Sequence, residues 1–242
     1  MILLSLDFET TGLNVLNDRV IEFGAVLYST GQKKCLDNQG MLVKSDVPIS
    51  AAITRITGIH PAAVERFGYD SDSVLDIILE MENNADAVIG YNCRRFDKRV
   101  LENWINLGGG DGNLVRPWID LYQDLPWQVP VGKLSHVAAD HGILNLFPHS
   151  ALADAQTVLA IAEKYDPELL LSRAQSPVVI LQARQDRGSN DLVKQAPYKF
   201  RWNPPNKIWW KPVKEQDVAE IIQSAPFPIT IEKGWSPEEL DN

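Results

Sequence analysis

The chain begins with an apolar run that ends in acids: Met1–Leu13 reads MILLSLDFETTGL. Such a run suits a strand buried on both faces. Asp7 and Glu9 stand two apart on it, so a strand turns both side chains to one face. Carboxylates that share a desolvated site repel each other, and each resists the loss of its water. A fold built on this strand must bring a positive partner to the strand's end, and the strand itself holds none.

The rest of the front segment reads as alternating strands and helices. Arg19–Tyr28 is β-branched and alternating, a neighbour for the first strand, and Gln39–Lys44 is a third. Helices are expected over Ile49–Ile56, Pro61–Phe67 and Ser73–Met81, the second with proline at its start. Short strands follow at Ala87–Tyr91 and Pro117–Leu121, with helices over Phe96–Leu107, Lys133–His141 and Ser150–Tyr165. This order indicates an α/β fold with a mixed central sheet. The pattern pauses around Asp166–Pro177. A smaller α+β module then runs from 172 to 235, with strands at Val178–Arg184, Asn206–Lys211 and Phe227–Glu232 and a helix at Gln216–Ser224. The tail after Trp235 is expected to be disordered.

Charge separates the two parts. The whole chain has a net charge of −9. Residues 1–171 carry 13 Lys+Arg against 23 Asp+Glu, net −10, and residues 172–242 carry 10 against 9, net +1. The net charge argues only weakly against bulk nucleic-acid binding; the acidic excess sits in the front part, and the back end differs in character. Two cysteines, Cys35 and Cys93, do not make a disulfide framework and suit a reducing compartment. Met1–Leu6 is too short for a secretory leader, and no run approaches the roughly 20 apolar residues of a membrane span. A cytoplasmic protein without membrane attachment is the expectation.

Two further acids lie beside structural signals. Asp97 opens a helix after the turn Asn92–Arg95, and Asp154 lies in the first turns of the helix beginning near Ser150, five residues after His149. Two helix N-termini and a strand end can meet at one point. Four carboxylates there need cations, and hard oxygen ligands suit two Mg²⁺ or Mn²⁺ ions. Such an ion pair serves in-line displacement at phosphorus, and a nearby histidine can take the proton of an attacking water.

At these residues the sequence resembles the DnaQ-like (DEDDh) 3′–5′ exonucleases. Three motifs match in order: LDFETTGL (Leu6–Leu13), IGYNCRRFDKRVL (Ile89–Leu101) and HSALADAQTVL (His149–Leu159). ITRITGI (Ile53–Ile59), WIDLYQ (Trp118–Gln123) and KLSHVAADHGI (Lys133–Ile143) agree as well, so the likeness covers about residues 1–165 and sets an exonuclease domain at 1–168. The resemblance implies a ribonuclease H-like fold with a mixed five-stranded sheet flanked by helices. It implies metal ligation by Asp7, Glu9, Asp97 and Asp154, with His149 as general base. Ser150 stands where the family's other branch has tyrosine, which places the chain in the histidine branch. Thr10, Thr11, Leu13 and Asn92 would lie near the terminal nucleotide. The activity implied is release of nucleoside 5′-monophosphates from DNA 3′ ends. RNA is the alternative substrate and a non-catalytic nucleic-acid adaptor a third reading; a polymerase or another replication or repair protein is a possible partner.

Other polar residues have plainer readings. His60, His136 and His141 match no catalytic position and are expected to be structural, and Asp120 and Asp124 suit a turn or strand end. Arg94, Arg95, Lys98 and Arg99 form a basic cluster beside Asp97 that is either a solvated face or a phosphate contact. In the back module, Lys194–Lys214 holds six cations and no acid, interleaved with aromatics. Lys199, Arg201, Lys207 and Trp209 are candidates there for binding a nucleic-acid strand, against the competing need of a small module for aromatics in its own core. FRWNPPNKIWW resembles a short F-R-W-D-x-x-x-K-x-W-Y module appended to DNA-handling proteins, with Asn203 in place of its Asp.

Overall fold

The first strand does run apolar into the middle of a sheet. In a computed structural model that describes residues 1–184 and 190–232, β1 (Ile2–Thr10) pairs antiparallel with β2 (Val20–Ser29) and parallel with β4 (Ala87–Gly90). β3 (Lys34–Leu42) extends the antiparallel edge and β5 (Trp118–Asp120) the parallel one, giving the order β3-β2-β1-β4-β5. The sheet is mixed and flanked by helices, the ribonuclease H-like arrangement that the resemblance implied. The third strand starts earlier than Gln39, because β3 follows β2 through the tight turn at Thr30–Lys33.

Alternation along β1 divides the labour between the sheet's faces. Leu4, Leu6 and Phe8 enter a core with α3 (Ser71–Asn83) and α4 (Asp97–Leu107), through Val74, Ile78, Leu101 and Trp104. Ser5, Asp7 and Glu9 point the other way, toward α7 (Ala151–Ala162), where the Ser5 hydroxyl donates to the Ala155 carbonyl at 2.8 Å. The remaining helices of the front part are α1 (Ala51–Thr57), α2 (Pro61–Phe67), α5 (Leu121–Asp124), α6 (Leu134–Asp140) and α8 (Pro167–Gln175). α8 is a correction. The stretch read as a pause between modules is helical, with Leu170 fully buried.

Residues divide into two compact units: Met1–Gln123 with Gly132–Ala174, and Asp124–Val131 with Gln175–Asn242. In the second unit, β6 (Val178–Ala183), β7 (Arg201–Asn203), β8 (Ile208–Lys214) and β9 (Ile229–Glu232) form an antiparallel sheet in the order β7-β8-β6-β9. α9 (Asn190–Lys194) and α10 (Val218–Ser224) bring Val193 and Ile221 to a core with Phe200, Val213 and Phe227. Asp124–Val131 belongs to that core although it lies far away in sequence. Trp127 packs on it and donates to Glu220 at 3.1 Å, and Asp124 pairs with Lys214 at 2.8 Å with both groups buried. The tail after Trp235, like the end of the expected module at 235, lies outside the described residues.

Candidate active site

Two backbone features set the site. The pairing of β1 with β2 carries a bulge at Glu9/Thr10: Ile21 is the extra residue on β2, unpaired with β1, and the bulge bends the strand pair at the site end. Two pairs before Glu9, Asp7 lies opposite Gly24, and a Cβ on Gly24 would sit 2.1 Å from backbone atoms of Ala151 and Leu152. Only glycine lets α7 approach β2 so closely. The first turn of α7 therefore descends onto β1 beside Asp7, and Asp154 comes with it.

The acids then converge. Oxygens of Glu9 and Asp154 and a ring nitrogen of His149 all lie within 4.8 Å of one another. Asp97, first residue of α4 and buried, accepts the Phe8 backbone N–H at 3.2 Å, which ties it to β1 between Asp7 and Glu9. Asp154 accepts from Asn145 Nδ2 at 2.5 Å and from the His149 backbone N–H at 3.1 Å. His149 itself is exposed and takes a left-handed backbone (φ 64°) at the end of the loop before α7.

A fifth carboxylate, Glu22, stands opposite Glu9 on β2. It accepts from the Ala151 N–H at 3.0 Å and from the Ser150 hydroxyl at 3.4 Å, so it caps α7 from another strand. The sequence does carry a signal for it, an acid inside the otherwise apolar VIEFGAVLYS. Asn145 has no comparable signal.

Electrostatics report the crowding. Burial, then the charges of Asp97, Asp154, Glu9 and Glu22, holds the Asp7 carboxyl well above the usual range. Glu9 is pushed up to about 8 by burial and then by Asp154, Glu22 and Asp97. Burial lifts Asp97 to about 7 against the pull of backbone N–H groups. Asp154 and Glu22 also rise by burial, opposed by their hydrogen-bond donors. Among the described residues, no lysine or arginine forms an ion pair with Asp7, Glu9, Asp97 or Asp154. Clustered, hard, cation-starved carboxylates are the donor set that divalent metal ions fit.

The other sequence candidates fall in different places. The Thr10 and Thr11 hydroxyls serve the loop after β1: Thr10 donates to the Gly12 carbonyl at 2.5 Å, and Thr11 donates to Asp18 at 2.8 Å. Leu13 projects from that loop, 86 % exposed. Asn92 sits at φ 56° in a turn held by Asp120, which accepts the N–H groups of Asn92 at 2.7 Å and Arg94 at 3.3 Å. Asp120 is fully buried and positions that turn. Arg94 is a correction to the phosphate-contact reading of the basic cluster: its guanidinium donates to the Trp118 and Ala174 carbonyls inside the first unit. Lys98 pairs with Glu102 at 3.6 Å, and His141 is structural, bonded to the Val137 carbonyl and the Tyr165 hydroxyl. Lys199, Arg201, Lys207 and Trp209 belong to the second unit.

Fold and site together define a nuclease built on a carboxylate cluster. Residues 4–162 match the family described as exonuclease (RNase_T), and the chain belongs to this DnaQ-like exonuclease family, whose members act on nucleic acids and use divalent metals. Similar curated proteins are the PolC-type DNA polymerases III of Caldanaerobacter subterraneus subsp. tengcongensis, 31 % identical over 156 residues, and Thermotoga maritima, 35 % identical over 162 residues. Each match covers 64 % of this chain, and the chain spans about a tenth of those relatives' length (11 % of each). Among solved structures, exonuclease I aligns with TM-score 0.61 at 20 % identity over 75 % of this chain and 48 % of its own. The E. coli enzyme with a dT13 oligonucleotide aligns with TM-score 0.61 at 19 % identity, over 76 % and 48 %. A zinc-bound form of that enzyme with single-stranded DNA is known as well. Among the described residues no helix is long and apolar enough to cross a membrane.

Proposed function

We propose that this chain is a metal-dependent 3′–5′ exonuclease that removes nucleotides from DNA ends, single-stranded or frayed, and releases nucleoside 5′-monophosphates. The observation that carries the reading is the convergence of Glu9, Asp154 and His149 within 4.8 Å on a strand end shared with Asp7 and tied to Asp97. Asp7, Glu9, Asp97 and Asp154 would hold two Mg²⁺ or Mn²⁺ ions. When bound, such ions polarise the scissile phosphate and lower the pKa of an attacking water.

The chain's own residues supply the rest. His149 stands exposed beside the carboxylates and accepts the proton of the attacking water. Its backbone N–H bond to Asp154 keeps that loop end in register with the cluster. Asn145 holds the other Asp154 oxygen and so fixes the carboxylate's rotation. Glu22 anchors the start of α7, which fixes the height of Asp154 above β1. Leu13, exposed on the loop after β1, would pack on a terminal base, and Thr10, Thr11 and Asn92 would shape the backbone around that nucleotide. The exonuclease I complexes with oligonucleotides support DNA as the substrate, and the PolC-type relatives support a replication or repair setting with a polymerase as a candidate partner.

The test uses 5′-labelled single-stranded DNA, a duplex with a mismatched 3′ end, and matched RNA, each with Mg²⁺, Mn²⁺ or EDTA. The reading requires a metal-dependent ladder shortening from the 3′ end, faster on DNA than on RNA. Shortening from the 5′ end, equal cleavage in EDTA, or preference for RNA refutes the corresponding part.

A further inference from the structure

The six cations of Lys194–Lys214 do not act as one patch. Lys214 is buried against Asp124, and Lys211 Nζ donates to the Pro197 carbonyl at 3.1 Å. Arg201 lies 4.6 Å over the ring of the fully buried Trp210. Arg201 is exposed even so, as are Lys194, Lys199 and Lys207. The aromatics divide similarly. Tyr198 and Phe200 pack on Phe227 in one core, and Trp210 joins Ile180 and Ile208 in another.

Trp202 enters neither core. It stands on β7, the edge strand of the sheet, 45 % exposed. Its partner across the strand pair is Trp209, with ring centroids 5.3 Å apart. Trp209 is half-buried against the core, which holds it rigid beneath its neighbour. Lys194 Nζ lies 5.3 Å from the centroid of the Trp209 ring. Lys199 and Lys207 bracket β7, and both hold a left-handed backbone (φ 49° and 53°), a conformation that costs a non-glycine residue energy and concentrates at working sites. No acid lies within 194–214; Asp191 precedes the stretch by three residues, and Glu215 and Asp217 follow it.

We propose that Trp202 and Trp209, with Lys194, Lys199 and Lys207, form a stacking site for the bases of a single-stranded nucleic acid. Base stacking needs an exposed π-face that is already ordered, and cations within reach of the backbone phosphates; the edge of this sheet supplies both. A protein-docking face needs a contiguous apolar patch, whereas Trp202 is the one large hydrophobic side chain of 194–214 that is exposed. The site deepens the proposed exonuclease reading by holding the strand whose end is shortened.

The experiment measures binding of a labelled 20-nucleotide oligo-dT to the full chain in EDTA, where hydrolysis does not interfere. Trp202→Ala is expected to weaken binding about tenfold, and Trp202→Phe to retain most of it. An abasic oligonucleotide of the same length should bind wild type and Trp202→Ala alike, because the ring then has no base to stack on. Lys194→Ala and Lys207→Ala should each lower the salt dependence of binding by about one counterion. Oligo-rU in parallel separates a DNA site from an RNA site. Metal-dependent hydrolysis of the nitrophenyl ester of thymidine 5′-monophosphate, which has no strand to hold, should be the same in all variants. Wild-type affinity in Trp202→Ala, or an equal loss on the abasic strand, overturns the proposal. Strong Trp202-dependent binding by a chain that hydrolyses nothing upholds the stacking site and overturns the exonuclease reading.

Discussion

Removing one negative charge from the carboxylate cluster should stabilise this protein when metal is absent. Folding lifts the Glu9 pKa from 4.5 to about 8. A carboxyl whose pKa is raised by folding holds its proton more tightly in the folded chain, so its ionisation costs stability. Nothing is lost below pH 4.5, and the loss grows until pH passes about 8. At roughly 1.4 kcal/mol per pKa unit the upper bound is about 5 kcal/mol. Glu9 is only partly buried and shares its repulsion with four other acids, and counterions screen it, so about 2 kcal/mol is the expected gain for Glu9→Gln at pH 8. For a unit of this size that is about 4–8 °C in Tm. Thermal unfolding in EDTA at pH 5 and pH 8 measures it. The variant should match wild type at pH 5, melt higher at pH 8, and lose that advantage when Mn²⁺ is added, because wild type then gains a ligand the variant lacks. An unchanged or lower Tm at pH 8 in EDTA, or an equal gain at both pH values, would refute the electrostatic account.

The remaining predictions concern chemistry and architecture. Asp7→Ala or Asp154→Ala should abolish metal-dependent cleavage without loss of the fold, read by nuclease assay and circular dichroism together. Because protons compete with cations for the raised carboxyls, the metal concentration for half-maximal cleavage should rise as pH falls from 8 to 6; a constant requirement would count against ligation by Glu9 and Asp97. Gly24→Ala places a Cβ 2.1 Å from the α7 backbone and should cost about 3 kcal/mol or more, with activity falling as α7 is displaced. Lys214→Met removes the cation facing the buried Asp124 and should destabilise the second unit by about 3 kcal/mol, seen as a lowered transition in denaturant. The same pair argues for point variants over truncation at 172, since truncation would also strip Trp127 of Glu220.

The local part of this protein was legible in the residues. The apolar run before Asp7, the two-residue spacing to Glu9, and the helix starts at Asp97 and Ser150 gave the strand, the shared face and the candidate carboxylates. Those features depend on short-range periodicity and capping, which sequence carries directly. What joins distant segments was not legible. Glu22 acts on the site because strand register sets it opposite Glu9 and α7 comes down beside it. Gly24 matters because a helix more than a hundred residues later crosses its backbone. Asp120 reads as a strand-end acid until the parallel pairing of β4 and β5 puts it under the Asn92 turn. Asp124–Val131 reads as a loop of the front part until the buried Lys214 claims it for the second unit. Register, close backbone approach and buried charge pairing are chosen by which surfaces pack together, and no stretch of the chain contains both halves of such a contact.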